Sequence, residues 1–95
     1  MYGSLQLYGD EVACPTTAET ASPFTDNTPD EAPSVRFSNY GTTDETIYYM
    51  NSGGVQIGCI KLRAGESLLL HKRRTYHKFY ASSAEVFGVA VFVMR

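Results

Sequence analysis

The 95-residue sequence predicts an all-β fold: a small antiparallel β-sandwich, Ig-like or jelly-roll-like, with an extended N-terminal arm. Three observations carry that expectation. From Ser34 onward, short stretches rich in Val, Ile, Tyr, Phe and Thr recur between Gly-, Ser- and Asn-bearing turns. No stretch shows helical periodicity. The last apolar stretch, Glu85 to Met94, is apolar at odd and even positions alike, which suits a strand covered on both faces. The length allows one domain with one modest core.

The chain divides at Ser34. Residues 1–33 read as an acidic, Pro- and Thr-rich arm and residues 34–95 as the β-sandwich domain. Within the arm, Leu5 and Leu7 alternate with Ser4, Gln6 and Tyr8, enough for one short strand. All four prolines, Pro15, Pro23, Pro29 and Pro33, follow and exclude a helix or a central strand. The composition predicts no fixed structure in the free monomer and ordering on a neighbour, with Leu5, Leu7, Tyr8 and Phe24 as the apolar anchors. In the domain, Val35 and Phe37 alternate inward along the stretch from Ser34 to Asn39. The β-branched and aromatic run Thr46 to Met50 forms the next strand, and Asn51-Ser52-Gly53-Gly54 a turn. Val55 to Leu62 and Glu66 to His71 are expected to form a hairpin across Arg63-Ala64-Gly65, with Gly65 in the left-handed conformation. That register sets Leu62 opposite Glu66 and Ile60 opposite Leu68, so that Ile60, Leu62, Leu68 and Leu70 share one face of a sheet. Thr75 to Tyr80 and Glu85 to Met94 complete six strands.

Charge is segregated along the chain. Residues 1–35 hold six acidic residues and no Lys or Arg, whereas residues 36–95 hold all eight basic residues against four acidic ones. Halves of opposite sign attract within a chain or between copies. The densest cluster is His71-Lys72-Arg73-Arg74-Thr75-Tyr76-His77-Lys78. Basic residues interleaved with a tyrosine could contact single-stranded nucleic acid. The cluster falls at a strand connection and the chain is acidic overall, with a sequence pI near 5.5. A protein contact to an acidic surface through Lys72, Arg73 and Arg74, or plain solvation, is therefore preferred to nucleic acid. The two cysteines, Cys14 and Cys59, have no metal-like spacing and read as free thiols of a reducing compartment. No apolar run reaches membrane-spanning length, and the first residues lack the basic and apolar regions of a secretory signal.

Nothing in the chain marks catalysis. His71 and His77 with Glu66 or Glu85 lack the His-x-His of a cupin metal site. No nucleophile elbow is present, and no helix follows Gly53-Gly54 to make a phosphate loop. The expectation is a non-enzyme with no catalytic residue, metal or cofactor.

Residues 34–94 carry a recognisable layout: VRFSNYGTTDETIYYMNSGG, then IKLRAGESLLLHK, then KFYASSAEVFGVAVF. It resembles small virion proteins of tailed phages, particularly marine and cyanobacterial ones. In those proteins a V-x-x-N start and a Thr-rich loop precede an L-x-A-G-E-S-L-x-L segment, a Y-A-S-S/T-x-x-V segment and a last apolar strand. Where that family often reads T-D-K-V/I-Y-A, this chain reads T-Y-H-K-F-Y-A. The resemblance implies a capsid decoration (cement) protein or another minor structural protein of the particle. Its partners would be the major capsid protein and other copies of itself, and its location the capsid surface of a virion made in the host bacterial cytoplasm. The alternatives are a head–tail connector or tail component, and a carbohydrate- or receptor-binding module using Tyr48, Tyr49, Tyr76 or Tyr80 to stack on sugars.

Overall fold

A computed structural model describes residues 4–7, 10–24, 34–51, 53–74 and 77–94, with backbone alone for 4–6 and 92–94. In chain order the strands among them are β1 (Ser4–Leu7), β2 (Val12–Ala13), β3 (Ser34–Asn39), β4 (Glu45–Met50), β5 (Gln56–Leu62), β6 (Ser67–His71), β7 (Lys78–Ala81) and β8 (Val86–Met94), with one 3-10 turn at Ala18–Thr20. All pairings are antiparallel and form two sheets. One runs β1-β8-β3-β6, with β2 also on β8; the other runs β5-β4-β7. The fold is an all-β antiparallel sandwich, as the alternation predicts.

The core lies between the sheets. Phe37 of β3 and Phe79 of β7 meet edge to face at 4.9 Å, and Val35, Ile47, Leu62, Ala81 and Val86 close around them, all buried. The two-faced apolar run becomes the central strand β8, flanked by β3 on one edge and by β1 and β2 on the other. Val89, Ala90 and Val91, which alternate between its faces, are all buried.

The expected Val55–His71 hairpin does not form. β5 pairs with β4, Ile60 lying opposite Ile47, while β6 pairs with β3, Leu68 lying opposite Phe37. Ile60 and Leu68 are thus not cross-strand neighbours. The turn itself matches expectation: Glu66 N–H donates to the Arg63 carbonyl, and Gly65 adopts φ +77°, the left-handed position of a type II turn. What redirects the chain is the third strand end at that corner. Gly65 N–H donates to the Asn39 carbonyl and Asn39 N–H to the Glu66 carbonyl, so the chain leaves the turn onto β3. Leu62 of β5 and Leu68 and Leu70 of β6 still serve one core, but from opposite sheets. Asn39, 1% exposed, locks the corner: its Nδ2 donates to the Thr43 and Leu62 carbonyls and its Oδ1 accepts from Gly41 N–H. A buried amide with its hydrogen bonds made is a specifying contact rather than a penalty. Consecutive strands that do pair are β4 and β5, across a turn in which Asn51 Oδ1 accepts from Gly53 and Val55 N–H and Gly54 adopts φ +84°.

The described part of residues 1–33 is extended, as its prolines require, but it lies on its own chain rather than waiting for a neighbour. β1 pairs with Val91–Met94 and β2 with Phe87–Gly88. Beyond β2, Cys14 N–H donates to the Val86 carbonyl, Ala81 N–H to the Pro15 carbonyl, and Ser22 exchanges both backbone hydrogen bonds with Phe79. The segment thus passes from the edge of β8 to the edge of β7 and closes one side of the sandwich. Proline suits this path: it lacks an N–H but keeps its carbonyl, so at a sheet edge it can accept without leaving an unpaired donor. The last described residue of the segment is Phe24, 5% exposed, whose ring packs edge to face on Phe37 at 5.5 Å and lies 6.4 Å from Phe79. Its backbone sits at φ +52°, disfavoured for a bulky side chain and held here by the burial of the ring. Gly88 makes the room: a Cβ there would lie 2.7 Å from Phe24 Cε1.

Candidate functional site

The side opposite the N-terminal segment is open. There β5 and β6 are the last strands of their sheets, and no described strand pairs with their outer edges. Val55, just before β5, and Ile57 and Ile60 within it are exposed, as is Cys59. Proteins usually shield an apolar edge strand, because its unpaired N–H and C=O groups are a template for another chain. Between the two edges runs a mostly apolar cleft of about 180 Å³, lined by Ile47, Tyr49, Ile60, Leu70 and Phe79 among others.

Where β6 leaves this side, the Lys72-Arg73-Arg74 connection begins. Its three cations do different things. Lys72, 7% exposed, turns inward and its Nζ donates to the Pro23 carbonyl at 2.7 Å, pinning the segment that carries Phe24. Arg73 and Arg74 are exposed and line a cavity of about 230 Å³ together with Asn51, Ile57 and His77. Arg73 backbone N–H donates to the Tyr49 hydroxyl, which in turn bonds to His77 Nδ1, both at 2.6 Å. Burial, then the charges of Arg73, Arg74 and Lys72, hold the imidazole below its ordinary pKa, so it is neutral at neutral pH.

The residues singled out from sequence thus fall into three groups. Phe24 and Lys72 are internal braces joined through Pro23. Leu5 and Leu7 lie on β1, at the opposite end of the five-stranded sheet from β6; Leu7 is exposed, and of Leu5 the backbone pairing with Val93 is described. Arg73 and Arg74 stand at the cavity, and Tyr8 lies outside the described residues. The structure does not gather them into one surface. Asn51, Ile57 and His77, which complete the cavity, come from three separate parts of the chain; sequence carries no signal for their meeting. Gly88 did carry one, since a glycine inside a strand marks a close approach.

Other candidate groups have structural partners. His71 Nδ1 bonds to Ser34 Oγ. Tyr48 and Tyr80 stack on each other with centroids 4.7 Å apart, using one face of each ring. Cys14 is buried, which pushes its thiol pKa up to about 12, and neither it nor the exposed Cys59 is in a disulfide. Among the described residues, no group of three or more His, Cys, Asp or Glu could hold a metal ion. No described helix is long and apolar enough to cross a membrane.

Compared with known proteins, the chain matches no family model and no curated protein. Among solved structures it is similar to the Anabaena sensory rhodopsin transducer, with TM-score 0.32 and 14% identity over 99% of this chain and 95% of that one. A superposition that loose carries no argument about fold or function.

Proposed function

We propose that the chain is a non-enzymatic structural protein of a phage virion, a capsid decoration protein that binds the major capsid shell, and other copies of itself, and stabilises the particle. The observation that supports this reading best is the asymmetry of the sandwich. Its own N-terminal segment covers one side, while the β5–β6 side presents two sheet edges with Val55, Ile57 and Ile60 exposed. Contact with a shell would cover those groups, and symmetry would multiply a modest contact into firm attachment. The layout of residues 34–94 points the same way. The test is to add the purified chain to shells of the encoding phage that lack it and to image them by cryo-electron microscopy. Density should appear at fixed lattice positions. The paired substitutions Val55→Thr and Ile60→Thr, which keep β-branching while adding a hydroxyl, should lower occupancy with the circular dichroism spectrum unchanged. Shells that carry no added density at saturating protein would overturn the reading.

A further inference from the structure

We propose that the cavity formed by Asn51, Ile57, Arg73, Arg74 and His77 is a binding site for a small oxyanionic ligand: a sulfate or phosphate ester, or a carboxylate. The inference stands apart from the particle reading and would hold for a protein of another role.

In a solvated basic connection, side chains spread to lower their mutual repulsion. Here Arg73 and Arg74, adjacent in the chain, both line one cavity, while Lys72 is fastened nearby on the Pro23 carbonyl. Arg73 is fixed at its backbone by the Tyr49 hydroxyl. The hydrogen bond described for the Arg74 guanidinium is to the Arg73 carbonyl, at 3.4 Å, and among the described residues no carboxylate pairs with either guanidinium. Two arginines lining one small space favour an oxyanion, because a guanidinium presents parallel N–H donors matched to two oxygens.

The remaining walls fit the same class of ligand. His77 is neutral, its pKa held down by burial and the neighbouring cations and its Nδ1 engaged by Tyr49, so it adds no repulsive charge of its own. The Asn51 amide adds polar character, and its Oδ1 is already occupied by Gly53 and Val55 N–H, which fixes the side chain. Ile57 supplies an apolar wall for whatever carries the anion. The volume, about 230 Å³, accommodates several waters at about 30 Å³ each, and hence an oxyanion with the group beside it.

The test is an NMR titration of isotope-labelled full-length protein at fixed ionic strength, following the His77 ring and the amides of Arg73 and Arg74. Sodium sulfate and sodium glucuronate serve as the probes, and sodium chloride is the screening control. Sulfate, glucuronate or both should give saturable shifts confined to these residues, and whichever binds more tightly identifies the tetrahedral or the carboxylate class. The double variant Arg73→Ala/Arg74→Ala should bind at least tenfold more weakly with an unchanged circular dichroism spectrum. Arg63→Ala, which removes an exposed charge beyond the other end of β5, should bind like the parent. If both probes give only the linear, non-saturating response of chloride, the inference is overturned. Binding that survives the double variant unchanged, or falls equally in Arg63→Ala, also overturns it.

Discussion

Phe24 and Gly88 should be energetically coupled, and the coupling reports whether the N-terminal segment is docked in solution. Phe24 is 5% exposed among Phe37 and Phe79, so Phe24→Ala should cost about 3–5 kcal/mol, the range for emptying a buried aromatic site. Gly88→Ala pushes a methyl to 2.7 Å from Phe24 Cε1 and 3.1 Å from Phe24 Cζ, overpacking that should cost about 1–3 kcal/mol. In the double variant that methyl enters space the ring has left. Its contact with Phe37 Cε1, also 3.1 Å, is present in both backgrounds and cancels in the cycle. The double variant should therefore be more stable than the sum of the singles implies, by about 1–3 kcal/mol. The assay is equilibrium unfolding in urea followed by far-UV circular dichroism, since the chain has no Trp. A 95-residue domain has roughly 5–14 kcal/mol in total, so if Phe24→Ala fails to fold, Phe24→Leu supplies the same cycle at lower cost. Additivity within about 0.3 kcal/mol, together with a cost for Phe24→Ala below about 1 kcal/mol, would refute the docking of residues 10–24.

Asn39→Ala should cost at least about 1–3 kcal/mol, because it orphans Gly41 N–H and two carbonyls that the amide serves at a buried corner; chemical denaturation measures it. Under native conditions at pH 8, a thiol reagent should modify one cysteine per chain rapidly, Cys59, while Cys14 reacts only on unfolding, since burial holds its thiol near pKa 12. Mass spectrometry of the modified peptides distinguishes the two, and fast labelling of Cys14 would mean that the N-terminal segment detaches.

Much of this architecture is local and therefore legible in one dimension. Side-chain alternation is set by the two-residue pleat, so the strand from Ser34 to Asn39 and the two-faced run ending at Met94 follow from composition alone. Gly65 in the left-handed conformation likewise follows from turn chemistry within a few residues. Sheet membership is different. A strand buries the same face whether its partner is beside it or across the core, so Ile60, Leu62, Leu68 and Leu70 read identically for a hairpin and for a crossover. The decision fell to the Asn39 side chain and to the Asn39 backbone hydrogen bonds with Gly65 and Glu66, contacts between positions more than twenty residues apart. The arm shows the same limit. Four prolines and six acidic residues say extended and solvated, and the described part of the arm is extended. That it docks depends on a space left by the missing side chain of Gly88, on edge donors at Phe79 and Ala81, and on a lysine reaching Pro23, none of which composition can express. Sequence likewise placed three cations side by side, but only packing could turn Lys72 inward as a brace and leave Arg73 and Arg74 at a cavity. Which way each side chain turns is set by what the rest of the chain offers it.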